Sequence, residues 1–494
     1  MGENMKNILV KKVFLSVAAL LVLCLLTGCA VTTETPADNN TQAAETGDNT
    51  QSGDNTQGGD TQLQPTEGLA YTLNDDGASY TVTKGTVTGG DVVIPATYNG
   101  LPVTIIGEDA FGDCEDLTSI TIPDSITNIG EWAFSDCTGL TSITIPNGVT
   151  SIDKRAFYDC TGLTSVTIPD NVTTVENYAF YGCTGLTSVT IGSGVTSING
   201  YAFMKCTGLT SITVDVRNSV YHSAGNCIIK TANKTLIAGC KTSVIPTDGS
   251  VTSIGAFAFY CCTGLTSVII PDSVTSIDYY AFEGCTGLTS IAIPDSMTDI
   301  GECAFADCTA EIVWGASPRI TSISDGAFTN YKGMNITIPD SVTSIGQHAF
   351  ANCTNLTSIS IPDNVTHIGW NAFNECTNLT CYTYDHAKYL GNTQNPYLAL
   401  IEAGDISITS CIIHADTKVI CDDAFERCED LMSVTIGGNV TNIGENAFYR
   451  CELLTTITYQ GTTAQWNAIE KGDDWNVWTG DYTVHCTDGE ISKF

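Results

Sequence analysis

Between Leu140 and Phe157 the apolar residues fall at two different spacings. Leu140, Ile143 and Ile145 lie on one side of an extended run, with Ser142 and Thr144 on the other. Pro146 ends that run because it cannot donate to a strand ladder, and the following Asn-Gly, or Asp-Ser in other copies, predicts a turn. Val149 and Ile152 then point inward from a second short extended segment, and Ala156-Phe157 is predicted on a single helical or 3₁₀ turn.

The unit recurs. Ala-Phe places Phe at 111, 134, 157, 180 and 203, at 259, 282, 305, 328, 350 and 373, and at 425 and 448, mostly 23 residues apart. One such coil cannot bury its apolar side alone, whereas stacked coils bury it continuously. The expected architecture is a parallel solenoid with about 4.8 Å between equivalent strands. Residues 214–250 and 381–420 break the period with strand-rich islands, expected to bulge from one edge. The copy ending at Phe328 has Glu311, Trp314 and Ala316 where Leu, Ile and Ile are expected, which predicts a weak point. Residues 68–104 predict an N-terminal cap of hairpin strands (Tyr71–Leu73, Tyr80–Val82, Val92–Ile94, Val103–Ile105). Residues 459–494, with Trp466, Trp475 and Trp478, predict a C-terminal cap over the exposed end of the stack between them and 105–458.

The pattern L-x-S-I-x-I-P-x-x-V-T-x-I-x-x-x-A-F-x-x-C resembles the BspA-type leucine-rich repeat over roughly residues 100–460. The fold class expected is therefore a β-rich solenoid, a leucine-rich-repeat array of 23-residue coils with two insertions and end caps. The resemblance implies a curved array on a surface protein engaged in adhesion or host interaction, and it brings no catalytic residues.

The N-terminus adds a compartment. Lys6, Lys11 and Lys12 precede an apolar run from Val13 to Leu26, too short and too one-sidedly basic for an ordinary spanning helix. It ends in Leu26-Thr27-Gly28-Cys29, which resembles the bacterial lipobox and implies a signal peptide over 1–28 with lipid on the sulfur of Cys29. Residues 29–67 then hold almost no large apolar side chains and are expected to be a disordered tether with a reach of roughly 30–35 Å. The expected location is the outer surface of a bacterium, with the lipid as the only membrane contact.

Charge narrows the partners. With 54 Asp+Glu against 19 Lys+Arg the net charge is −35, which argues against nucleic acid and anionic membranes and favours partners with basic patches. Outward hydroxyls at Ser119, Thr121, Ser142, Thr144, Ser165, Thr167, Ser188, Thr190, Ser211 and Thr213 are predicted to form a flat polar face suited to extended macromolecules, proteins or glycans, bound by a monomeric solenoid. The alternatives are a glycan platform on Trp466, Trp475 and Trp478 and a spacer that binds nothing.

Candidate chemistry is thin. The sequence has no G-x-S-x-G, H-E-x-x-H, G-x-G-x-x-G or G-x-x-x-x-G-K-[ST], so neither an enzyme nor a cofactor is implied. Twelve cysteines (114, 137, 160, 183, 206, 262, 285, 308, 353, 376, 428, 451) stand three residues after the repeat Phe, with Tyr331 in the one missing place. At strand spacing their Cβ atoms lie too far apart for bridges, so free buried thiols are expected. No C-x₂-C pair suggests a metal. Cys227 with Cys240 and Cys411 with Cys421 are the more plausible disulfides. An Asp column after the Pro (124, 170, 272, 295, 340, 363) suits turns and, less well, weak cations.

Overall fold

Because every coil repeats the same inward residues, like side chains lie over like. In the computed structural model, which describes residues 64–493, they build a β-solenoid of about 18 turns with nearly no helix. Two parallel ladders run along the stack. The first pairs Ser165–Ile168 with Ser188–Ile191 and Ser211–Val214 in strict register, Ser on Ser and Thr on Thr. The second is made of two-residue strands, such as Ser151–Ile152, Thr174–Val175 and Ser197–Ile198. The leader, Cys29 and the tether up to residue 63 lie outside the described residues.

The third side of the coil is not the helical turn expected of Ala-Phe. Its N–H groups alternate between two destinations. Those of Ala156, Tyr158 and Cys160 close three-residue turns on Asp153, Arg155 and Phe157, while those of Arg155, Phe157 and Asp159 reach Asn177, Ala179 and Tyr181 of the next coil. Arg155 and Asp159 take left-handed backbone, with φ of 56° and 49°, which reverses the hand a 3₁₀ helix would need. Left-handed backbone costs a non-glycine residue roughly 1–2 kcal/mol. The inter-coil hydrogen bonds and the Phe beneath offset it.

Those phenylalanines form columns. Phe111, Phe134, Phe157, Phe180 and Phe203 stack with ring centroids 5.4, 5.3, 5.1 and 5.5 Å apart and almost parallel planes. A second column runs from Phe259 to Phe373, and a third joins Phe425 to Phe448 at 5.0 Å. Three apolar clusters accompany the three columns and meet at the two insertions.

The insertions do not bulge from an edge. Tyr221–Ala224, Cys227–Lys230 and Thr235–Ala238 form an antiparallel meander whose last strand pairs in parallel with Ser253–Ile254. Tyr382–Tyr384, Ala387–Leu390 and Ala399–Ala403 do the same ahead of Val419–Ile420. Both meanders sit in line with the stack, because their strands carry buried residues such as Ile228, Ile229, Tyr389 and Leu400 that need cover from coils above and below. At the irregular copy both ladders stop, yet the core continues: Tyr331 is fully buried and packs edge-on against Phe328 at 6.0 Å. Gly333 makes room for it, since a Cβ there would stand 2.2 Å from the Tyr331 hydroxyl.

The ends differ from the coils. Ala70–Leu73 and Tyr80–Thr83 form an antiparallel hairpin. Of the other expected hairpin strands, Gly89–Val93 instead joins a parallel ladder beside Asp116–Thr121, while Leu101–Ile106 makes a hairpin with Thr97–Tyr98 and also pairs in parallel with Tyr80–Thr83. The reason is that this stretch already makes a full circuit of a coil. At the far end, Thr483–Cys486 pairs with Thr456–Tyr459, and one short helix, Thr463–Ala468, is opened by a capping box of Thr462 and Gln465.

Phe157 is fully buried between two ring neighbours, while Phe203 ends its column and is half-buried. Phe157→Ala should therefore cost about 3–5 kcal/mol in urea unfolding, and Phe203→Ala clearly less. Equal losses would show that the columns are not cooperative packing units.

Candidate interaction surface

All ten hydroxyls singled out in the sequence are exposed or half-exposed. They do not form one uninterrupted face. Ser165, Ser188 and Ser211, with Thr167, Thr190 and Thr213, share three paired strands. Ser142 and Thr144 stand in a coil segment outside any strand, and Ser119 donates its hydroxyl to Asp91 at 2.6 Å. Six hydroxyls are thus free to meet a partner in register, and the patch ends where Val214 N–H donates to Ser223 Oγ at 3.0 Å.

A different set of hydroxyls serves the scaffold, and the sequence pattern did not separate the two. The Oγ1 atoms of Thr164, Thr187 and Thr210 donate to the carbonyls of Thr141, Thr164 and Thr187 at 2.9–3.0 Å. Thr127, Thr150, Thr173 and Thr196 do likewise beside the second ladder. The available signal was residue type: these slots hold Thr almost without exception, whereas the adjoining Ser slot is never used this way.

The three tryptophans do not form one platform. Trp466 is 4% exposed and packs against Tyr459 and Trp475, Trp475 faces Phe448 and Tyr482, and only Trp478 is exposed, stacked on Tyr449. Trp475 covers the last ring of the Phe column and Trp466 packs behind it. Arg450 lies 4.8 Å from the Trp478 ring.

All 20 cysteines among the described residues are free. Eight of the twelve column thiols donate to the carbonyl of the Phe one coil back, as in Cys137 to Phe111, Cys160 to Phe134 and Cys183 to Phe157, at 3.0–3.1 Å. Each such carbonyl also accepts the N–H of its own coil's cysteine, for example Cys160 N–H on Phe157. Burial raises the thiols, Cys137 and Cys206 to about 12 and Cys160 and Cys183 well above the usual range. The two disulfides expected inside the islands are absent. Cys227 and Cys240 belong to different apolar clusters, as do Cys411 and Cys421, and Cys411 donates to Asp385 at 3.2 Å.

Asp170 and Asp295 of the Asp column accept hydrogen bonds from the next coil, not from their own turns. Asp170 accepts from Ser193 N–H at 2.8 Å and pairs with Arg217, which together hold its carboxyl below the usual range, and Asp295 accepts from Ser317 N–H at 2.7 Å. No cluster among the described residues has the make-up of a metal site.

A hollow of about 460 Å³ opens at the second insertion between Phe373, Cys376, Cys381, Lys388, Glu402 and Asp423. Burial, followed by Glu426, Asp422 and Glu445, pushes the Asp423 carboxyl up to about 7.

Two consequences are measurable. In the native protein at mildly alkaline pH, a thiol reagent should modify half-buried Cys261, Cys303, Cys376, Cys381 and Cys486 first, leaving Cys160 and Cys183 unmodified until unfolding; fast labelling of the latter would contradict the buried column. The folded state also holds the Asp423 proton up to about pH 7, whereas the unfolded chain releases it near its ordinary 3.8. Stability is therefore lost as pH rises through that window. Asp423→Asn, which suits the left-handed backbone there, should raise the melting point at pH 8 and leave it unchanged near pH 3.5, and no gain at pH 8 would refute the assignment.

The comparisons with known proteins agree with this geometry. The model of the BspA-type leucine-rich repeat region matches residues 104–230, 230–333, 321–393 and 403–469. No curated protein matches the chain. Among solved structures, a leucine-rich repeat protein from Eubacterium ventriosum is 23% identical, covering 65% of this chain and 89% of that one with a TM-score of 0.51, which shows the fold. A leucine rich cell surface protein from Faecalibacterium prausnitzii is 25% identical over 82% of this chain and 97% of that one, with a TM-score of 0.42. With the family's repeat found across more than half of its length, the chain belongs to the BspA-type leucine-rich repeat family.

Proposed function

We propose that this protein is a lipid-anchored surface protein of a bacterium whose solenoid binds proteins or glycans of a host or a neighbouring cell. The observation that carries the reading is the register of Ser165, Ser188 and Ser211 with Thr167, Thr190 and Thr213: six hydroxyls, four on exposed and two on half-buried residues, in two rows on one sheet. A repeat array keeps such a surface flat without ordering loops on binding, which lowers the entropic cost of association. The leader ending Leu26-Thr27-Gly28-Cys29 supports anchoring, and the polar run after it supports display away from the bilayer. A net charge of −35 favours basic partners.

The chain from residue 30 onward, tested against immobilised matrix proteins, mucins and glycans at low and high salt, should bind one class saturably and more weakly as salt rises. Replacing Thr167, Thr190 and Thr213 with Val keeps strand propensity and removes three hydroxyls. It should weaken that binding by at least about tenfold. Undiminished binding by this variant would move the site off the sheet, and no saturable binding to any class would sink the adhesion reading.

A further inference from the structure

The residue two places before the stacked Phe has left-handed backbone in coil after coil. After Asp109 in the first coil, the slot holds bulky side chains at Trp132, Arg155, Tyr178, Phe257 and Tyr280, with φ of 60, 56, 59, 58 and 57°. Later coils place His348, Asn371, Asp423 and Asn446 in the same slot. Such backbone favours Gly, Asn and Asp, and it is least tolerant of large side chains. Aromatic residues are thus placed there against local preference, and contacts of their side chains add to the inter-coil hydrogen bonds that offset the cost.

Within the protein those side chains meet mainly one another. Tyr178 stacks on Tyr201 at 5.1 Å, Tyr201 meets Phe257 at 4.6 Å, and Phe257 stacks on Tyr280 at 5.2 Å. Beside them Tyr158 stacks on Tyr181 at 4.8 Å. Both the Phe column and the ladder of short strands stop at the first insertion, but this surface row crosses it from Tyr201 to Phe257. Its members are half-buried, and Tyr279 at its far end is exposed.

The row already binds cations. Arg155 lies between Trp132 and Tyr178, 4.6 and 5.2 Å from their centroids, and Lys205 lies 5.1 Å from Tyr181. Among the described residues no Arg or Lys lies over Tyr201, Phe257 or Tyr280. Acids flank this stretch. Burial raises the carboxyls of Asp159 and Glu283, which Lys205 offsets only in part, and Asp307 adds to the negative charge around Glu283. Two polar atoms on the row, Glu283 Oε2 and Asn177 Oδ1, are buried with no hydrogen-bond partner.

We propose that the aromatic row from Trp132 to Tyr280 is a docking surface for an extended basic polypeptide segment, whose Arg or Lys side chains occupy, over Tyr201, Phe257 and Tyr280, the place Arg155 takes between Trp132 and Tyr178. Asp159, Glu283 and Asp307 supply the matching charge. Stacked rings recognise cations through their faces, and burial of the pair strengthens the attraction. The surface lies on the turn side of the coil, so it stands whether or not the hydroxyl sheet binds anything.

The test uses the chain from residue 30 onward and a fluorescein-labelled peptide of alternating Arg and Pro, followed by anisotropy. The wild type should bind saturably, and a Glu-Pro peptide should not. The triple variant Tyr178→Asn, Phe257→Asn, Tyr280→Asn has the same net charge and residues better suited to the backbone, so its melting point should be equal or higher while binding falls at least tenfold. The Thr167→Val, Thr190→Val, Thr213→Val variant should bind the peptide as the wild type does, which separates this surface from the sheet. Absent binding by the wild type, undiminished binding by the ring variant, or tighter binding of a neutral oligosaccharide would overturn the proposal. So would a lowered melting point in the ring variant, since the rings would then be structural.

Discussion

Everything in this structure depends on one constraint: a single 23-residue coil exposes its apolar residues above and below and is stable only between neighbours. Phe157 illustrates it, with Phe134 on one side and Phe180 on the other at 5.3 and 5.1 Å. Stability therefore comes from contacts between coils, and the ends need special solutions. One end has the hairpin Ala70–Leu73 and Tyr80–Thr83, the other the Trp466 helix and Trp475. Hydrogen bonds follow the same logic, since strands, Thr side chains, thiols and alternate turn amides all donate from one coil to another.

The insertions divide this long stack without interrupting its backbone pairing altogether. Each replaces two-residue strands with a three-stranded antiparallel meander and restarts the parallel ladder after it. The apolar clusters change at these joints, and a hollow of about 460 Å³ lies at the second of them. A repeat array whose contacts are only between neighbours has its weakest points where neighbours differ in kind, and those are also the points where a groove can open. The irregular copy near Tyr331 breaks both ladders but keeps its core, so backbone pairing and side-chain packing are separable here.

The same scaffold offers two chemically distinct sides. On the sheet side short polar residues alternate with core residues, and the period of two places every hydroxyl outward. On the turn side the backbone adopts left-handed geometry before nearly every Ala-Phe, Tyr201 excepted, and what occupies that slot is free of core demands. Asn and Asp fill it at little cost in later coils, and Trp, Tyr and Phe fill it early. The thiol column lies beneath, and its hydrogen bonds to the Phe carbonyls make cysteine a structural residue rather than a reactive one.

The sequence by itself determined the period, the strand that Pro146 ends, the inward Leu, Ile, Val and Phe, and the unbridged cysteine column, because each depends on spacing or on local backbone chemistry. The outward direction of the ten hydroxyls was legible for the same reason. Tertiary structure decided what spacing cannot reach: that Ala-Phe closes by alternating turn and inter-coil hydrogen bonds, that the islands lie in line with the stack, and that Trp466 and Trp475 are packed away while Trp478 is not. It also decided that Tyr201 touches Phe257 across an insertion. These are contacts between residues far apart in the chain, and their energy depends on neighbours that no local pattern names.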